Sequence, residues 1–140
     1  MSTIAPTGLP ARIKAFTQLG LLLGAFGNKQ PWPGHTCGLT GPEYNAFDQA
    51  VSRAHVLNGW YTEPEVRHAL SALSAMLHPQ ALEKWLANYP MIADVGHGKK
   101  VGIIMAGNVP LVGFHDLLCV LLTGHLAKVK PSSDDAGLLP

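Results

Sequence analysis

The run Val101-Gly102-Ile103-Ile104-Met105-Ala106 constrains this chain more than any other stretch. It carries no polar side chain, which suits a strand covered on both faces, and such strands belong to sheets flanked by helices. Gly107 and Asn108 break the run. Pro110 suits the first turn of a following helix, where a missing N–H costs nothing. Leu111 to Thr123 is apolar nearly all round apart from His115 and Asp116, so that helix is expected to be buried on most sides. Gly124 supplies its stop, and His125 to Lys130 then alternates, with Leu126 and Lys128 outward and Ala127 and Val129 inward. Strand, helix and strand predict a right-handed parallel crossover. A parallel sheet needs more strands than two, so residues 91–140 are expected to be the start of a larger α/β domain, cut short at Pro140.

A helical layer over residues 1–90 precedes it. Leu9, Ile13, Phe16, Leu19, Leu22, Leu23 and Phe26 recur at three- and four-residue steps, which predicts a helix over 9–27 with one buried stripe, ended by Gly27 and Asn28. Lys29 to Leu39 holds two prolines and two glycines and reads as a loop that docks Trp32. Thr40 with Glu43, and Thr62 with Glu65, have capping-box spacing, in which each side chain satisfies a backbone N–H left unpaired at a helix start. They predict a second helix to about Leu57 and a third whose stripe is Val66, Leu70, Leu73 and Leu77. His78-Pro79 opens a fourth, with Leu82, Trp85 and Leu86 inward, closed by Pro90. Met91 to Val95 reads as a short apolar segment and Gly96-His97-Gly98 as a turn.

Composition narrows the function classes. The chain has 140 residues, 47% of them hydrophobic, and a formal charge of +1, so neither a disordered tail nor a nucleic-acid binder working through a strong basic field is expected. The oily run Leu19 to Phe26 is too short to span a bilayer and reads better as a helix entering a turn than as a signal peptide. Cys37 and Cys119 form neither a disulfide framework nor a metal spacing, and a cytoplasmic location is the expectation. The seven histidines show no i, i+4 pair or cysteine cluster, so no metal site is predicted.

In open α/β sheets ligands gather beyond the carboxyl ends of the strands. That rule selects Gly107 to Pro110 after the first strand and Lys130 to Asp135 after the second. Two readings of Asn108 stand side by side. Its amide either caps the following helix or, beside a helix N-terminus, stabilises a developing oxyanion without titrating. Lys130 is likewise either a solvated surface charge or a contact to ribose or phosphate. No G-x-G-x-x-G follows the first strand, and Gly96-His97-Gly98-Lys99-Lys100 lacks the upstream glycine and final Ser or Thr of a P-loop, so a common Rossmann mode of cofactor binding is disfavoured. Cys119 reads as a small buried hydrophobe. Cys37, two residues after His35, has no orienting third group for a reactive pair.

Gly107-Asn108-Val109-Pro110-Leu111-Val112-Gly113-Phe114-His115-Asp116, with Lys130-Pro131-Ser132-Ser133-Asp134-Asp135, resembles the start of the cofactor domain in the aldehyde dehydrogenase superfamily, and within it the acyl-CoA reductases related to the fatty acyl reductase of bacterial bioluminescence. Asn58-Gly59-Trp60-Tyr61-Thr62 and Glu83-Lys84-Trp85-Leu86 resemble the helical front of those proteins, so the likeness covers most of residues 40–140. The resemblance implies a Rossmann-like cofactor domain, incomplete here, and an enzyme that reduces a fatty acyl thioester to an aldehyde through an acyl-cysteine. It places Asn108 as the oxyanion-stabilising residue and Ala106, Gly107, Lys130, Pro131, Ser132 and Ser133 at the cofactor. Ser133 stands where many NAD-using members carry a glutamate, and a small neutral residue there does not repel a 2′-phosphate, so NADPH is expected over NADH. The family's nucleophilic cysteine lies beyond residue 140, so these residues alone are expected to be inactive. Acyl-CoA is the expected partner, with homo-oligomerisation an expectation for the full-length enzyme. The competing expectations are a non-catalytic helical and α/β interaction module, a decayed fragment, or a relative that reduces an acyl phosphate.

Overall fold

A computed structural model describes residues 8–92, 98–133 and 137–138. Most of the predicted Met91–Val95 segment and of the turn at Gly96-His97-Gly98 lies outside the described residues, as do Asp134 and Asp135. The fold is mixed α/β and mostly helical: α1 Leu9–Gly27, α2 Gly41–Leu57, α3 Glu63–Met76, α4 Pro79–Leu86, β1 Lys100–Ile104, α5 Phe114–Leu122 and β2 Leu126–Lys130. The two strands pair in parallel, from Lys100 opposite Leu126 to Ile104 opposite Lys130. No described helix is long and apolar enough to cross a membrane.

Local chemistry sets the helix ends. At the start of α2 the Thr40 hydroxyl accepts from the Glu43 backbone N–H while the Glu43 carboxylate accepts from the Thr40 N–H at 2.8 Å, the reciprocal capping box. Thr62 is the N-cap of α3, but its side chain makes no cap bond, unlike the expected repeat of that box. The 29–39 loop contains a 3₁₀ turn at His35–Cys37 and docks Trp32, whose indole N–H donates to the Leu39 carbonyl at 3.0 Å.

The core centres on α1 against α3, the most extensive helix pairing. Glycine allows the approach: a Cβ on Gly20 meets the Leu77 Cβ at 2.8 Å, and one on Gly27 meets the Ser71 backbone nitrogen at 3.0 Å. Phe26 stacks on Tyr44 of α2 with ring centroids 4.2 Å apart, and Val51, Val66, Leu70 and Leu82 are fully or almost fully buried. Phe114, Leu118 and Leu122 of α5 join the same cluster, and the Arg12 Nε–H of α1 donates to the Leu122 carbonyl at 3.1 Å. The hydrophobic core therefore runs without a break across the expected boundary at residue 90.

Arg67, 6% exposed, ties three helices together. Its guanidinium donates to the Phe26 carbonyl of α1, to Asp48 at 2.9 Å and Ser52 at 3.1 Å on α2, and to Glu63 at 2.8 Å on its own helix. Lys29 bonds the same Glu63 oxygen at 2.9 Å. A buried guanidinium is tolerated only when paired and hydrogen-bonded in this way. Lys29 first, then Arg67, lower the Glu63 carboxyl to about 2.

Two expectations for the α/β part are corrected. The helix after β1 starts at Phe114 rather than near Pro110. Leu111 adopts φ +60°, a left-handed conformation that a helix cannot contain, and residues 110–113 form turns. Its side chain is nonetheless buried at 8% exposure, so the turn is fixed by the core. The strands are covered on one face only: Ile103 and Met105 are buried, whereas Ile104 is 83% exposed and Leu126, on the same face as Ile104, is exposed too; Val129 stands beside Ile103 on the covered face, as expected. An apolar run reports that both faces avoid polar side chains, but α5 packs against only one.

Candidate functional site

β1 and β2 end side by side. The Met105 backbone N–H continues the ladder to the Lys130 carbonyl at 3.0 Å, so Ala106-Gly107-Asn108 and Pro131-Ser132-Ser133 leave the sheet from the same end. Lys130, Pro131 and Ser133 are exposed there, and Ser132 is half-buried. An open recess of about 720 Å³ lies beside the first segment, bounded by Ala106, Gly107 and Asn108 on one side and by Leu57, Asn58, Gly59 and Trp60 on the other. Lys130 to Ser133 do not line it. The strand ends thus gather the predicted residues in one region but not around one cavity.

The wall opposite Asn108 comes from the α2–α3 connection. There the Asn58 Oδ1 accepts from the Trp60 N–H at 3.0 Å, and the Tyr61 N–H donates to the Asn58 carbonyl at 2.8 Å, so the Asn-Gly-Trp-Tyr turn braces itself. It also grips the loop after β1. The Tyr61 hydroxyl donates to the Gly107 carbonyl at 3.0 Å, with the Val109 carbonyl at 3.4 Å, and the Asn58 amide donates to the same Gly107 oxygen at 3.3 Å. Tyr61 is buried and Asn58 nearly so, while Trp60 is 80% exposed at the rim. Buried donors converging on one carbonyl fix the path of the peptide that precedes Asn108.

Asn108 is exposed and sits in a bend six residues ahead of α5. Gly113 is the N-cap of that helix, with no side-chain cap bond, so Asn108 does not cap it. The expected placement of its amide at a helix N-terminus is corrected with it, because the Val109–Gly113 turns intervene. Any stabilisation of negative charge by Asn108 rests on the amide N–H alone, without help from helix dipole or orphan N–H groups.

The remaining candidates lie elsewhere. Cys119 Sγ is 3.8 Å from His115 Nδ1 on α5, and burial, then Asp116, push the Cys119 thiol up, which opposes thiolate formation. The His115 ring is 5.7 Å from the Trp85 ring, and neither it nor Asp116 lines the recess. The Cys37 thiol donates to the Leu39 carbonyl at 3.6 Å, and the His35 ring meets Trp32 edge-on at 4.8 Å. The described residues contain no group of three or more His, Cys, Asp or Glu side chains arranged to hold a metal ion.

Sequence reasoning used Asn58, Trp60 and Tyr61 only as marks of resemblance and missed their place in the site. The available signal was a polar-aromatic turn between two helices, where a buried tyrosine hydroxyl needs a partner. Comparison of the chain with family models, with curated proteins and with solved structures gives no match.

Proposed function

We propose that these residues form the N-terminal part of an NADPH-dependent acyl-CoA reductase that converts a fatty acyl thioester to an aldehyde, with the nucleophilic cysteine outside residues 1–140. The observation that carries the reading is the parallel register of β1 and β2, which delivers Ala106-Gly107-Asn108 and Lys130-Pro131-Ser132-Ser133 to one edge of the sheet. That is where open α/β sheets bind nucleotides. The cofactor, when bound, supplies hydride. The strand ends fit it in two respects: Lys130 offers an exposed cation for a ribose or phosphate, and Ser133 brings no carboxylate against a 2′-phosphate. Asn108 faces a recess wide enough for a thioester carbonyl, whose oxygen its amide N–H can stabilise as charge develops. Tyr61 and Asn58 hold the peptide from which Asn108 projects.

The test is the full-length protein assayed with acyl-CoA, with acyl phosphate, and with NADPH against NADH. Thioester reduction is expected with NADPH, and Asn108→Ala is expected to lower kcat by about 10²–10³-fold with KM little changed, the signature of a lost oxyanion donor. Full activity in Asn108→Ala, or equal turnover with NADH, contradicts the assignments. Preference for acyl phosphate moves the substrate to that class.

A non-catalytic interaction module is the second reading, favoured by the exposed Leu57, Trp60 and Ile104. A full-length protein that folds, shows no reductase activity with either substrate and binds neither cofactor supports it.

A further inference from the structure

Asn58 is followed by glycine, the sequence in which a backbone nitrogen most readily attacks a side chain. The Gly59 nitrogen adds to the Asn58 amide carbon, a five-membered imide closes, and the amide nitrogen leaves as ammonia; water then opens the ring to aspartate or isoaspartate. Glycine permits this because no side chain shields its backbone. Gly59 is exposed, its N–H makes no hydrogen bond among the described residues, and a Cβ built on it would meet nothing within 4 Å. The nucleophile is unobstructed, so control lies with Asn58.

Hydrogen bonds hold Asn58 out of the reactive geometry. Ring closure needs the Gly59 nitrogen on the Cβ side of the Asn58 Cα–C bond, and a ψ of 108° turns it away. Rotating that bond breaks the 2.8 Å hydrogen bond from the Tyr61 N–H to the Asn58 carbonyl. The other side of the residue cannot take up the rotation, because the Asn58 N–H is tied to the Ala54 carbonyl of α2 at 3.0 Å. The side chain is fixed as well: its Oδ1 accepts from the Trp60 N–H at 3.0 Å, and its amide donates to the Gly107 carbonyl at 3.3 Å. That last bond ties the reaction to a segment 49 positions along the chain. The Tyr61 hydroxyl holds the same Gly107 oxygen, so the turn and the loop after β1 let go of each other together.

We propose that Asn58-Gly59 is a deamidation site gated by the loop after β1: protected while Asn58 and Tyr61 grip the Gly107 carbonyl, reactive when that loop is released. Water is the only co-reactant, ammonia the only leaving group, and no electrons are transferred. The change is one-way and acts back on the loop. A carboxylate only accepts hydrogen bonds, so the product cannot donate to the Gly107 carbonyl. It also sets a negative charge in the wall of the recess opposite Asn108, and isoaspartate adds a methylene to the backbone of the turn. The inference stands on the turn and the loop and does not require the reductase reading.

The test is peptide mapping of the full-length protein after incubation in neutral buffer, separating asparagine, aspartate and isoaspartate at position 58. Several bonds must open before the ring can close, so Asn58 is expected to react at least about tenfold more slowly in the folded protein than in the protein unfolded in guanidinium. Unfolded, it should react ahead of every other asparagine. Tyr61→Phe removes one hydrogen bond from the grip and should raise the folded-state rate about fivefold. If that variant fails to fold by circular dichroism, wild type in guanidinium below its unfolding midpoint replaces it, and reaction at Asn58 should rise before the helical signal falls. Gly59→Ala, for which there is space, should keep the fold and suppress the reaction in both states. Asn58→Asp should speed amide exchange over residues 107–109, as the product would. Equal rates in folded and unfolded protein, an unchanged rate in the loosened protein, another asparagine reacting first when unfolded, or unchanged exchange in Asn58→Asp overturns the inference. No readout depends on hydride transfer, so failure here leaves the strand-end reading untouched, and the converse also holds.

Discussion

Replacing Arg67 by methionine should cost stability, but less than stranding its charge. The guanidinium is buried and makes four side-chain hydrogen bonds, to Phe26, Asp48, Ser52 and Glu63. Methionine keeps much of the stem volume and removes every donor. What remains is not badly orphaned: the Phe26 carbonyl still accepts from the Lys29 backbone N–H at 3.2 Å, Glu63 still holds the Lys29 ammonium, and the Asp48 and Glu63 side chains, 37% and 28% exposed, can take up water. The loss is therefore the net worth of partly exposed charge-assisted bonds, about 2–3 kcal/mol. Removing both carboxylates instead, as Asp48→Asn with Glu63→Gln, leaves the guanidinium buried and unpaired, at about 3–5 kcal/mol. Urea unfolding followed by circular dichroism at low micromolar concentration measures both, and Arg67→Met should lower the midpoint by roughly 1–2 M. An Arg67→Met chain within 0.5 kcal/mol of wild type, or a double variant less destabilised than Arg67→Met, refutes the hub.

The same cluster predicts an acid limb. The folded Glu63 carboxyl is lowered to about 2, so its contribution is complete above the ordinary carboxylate range near 4.5 and is lost as pH falls from there toward 2. With Lys29 62% exposed, the effect is about 1 kcal/mol after solvent screening, and Glu63→Gln should flatten the stability slope across that window. Gly20→Ala places a methyl 2.8 Å from the Leu77 Cβ and should cost about 1–3 kcal/mol, read as a lowered melting temperature. Tyr61→Phe removes the donor to the Gly107 carbonyl and should cost about 1 kcal/mol, with faster amide exchange confined to residues around the 107–109 loop. On the proposed reductase reading, Ser133→Glu in the full-length protein should shift cofactor preference toward NADH, measured as the ratio of kcat/KM values; an unchanged ratio contradicts the proposed role of Ser133.

The helices were legible because their signals are local. Apolar spacing over 9–27 and the Thr40–Glu43 pair depend on residues within a turn of one another, and both appear as read. The parallel pairing was legible one level higher, from two apolar segments separated by a helix. Arg67 was not legible. Nothing near it in sequence marks it as buried, and its partners on α1 and α2 lie 15 to 41 positions away. The start of α5 was misplaced for a related reason: Pro110 is a sound helix-start signal, but tertiary packing of Leu111 imposes a backbone conformation that local propensity opposes by about 1–2 kcal/mol.

That conflict bears directly on the site. Had the helix begun at Pro110, Asn108 would sit at its N-terminus, facing along its axis. Instead the loop is held at both ends, by Tyr61 and Asn58 on the Gly107 carbonyl and by the burial of Leu111, while Asn108 between them stays exposed. Pinning the peptide on either side of Asn108 fixes its backbone and leaves the exposed side-chain amide free to bond a ligand. The left-handed backbone at Leu111 needs a surrounding structure that over-determines it, and the burial of its side chain supplies that. The helical layer is therefore part of the candidate site, because the residues that hold the peptide before Asn108 come from the α2–α3 connection.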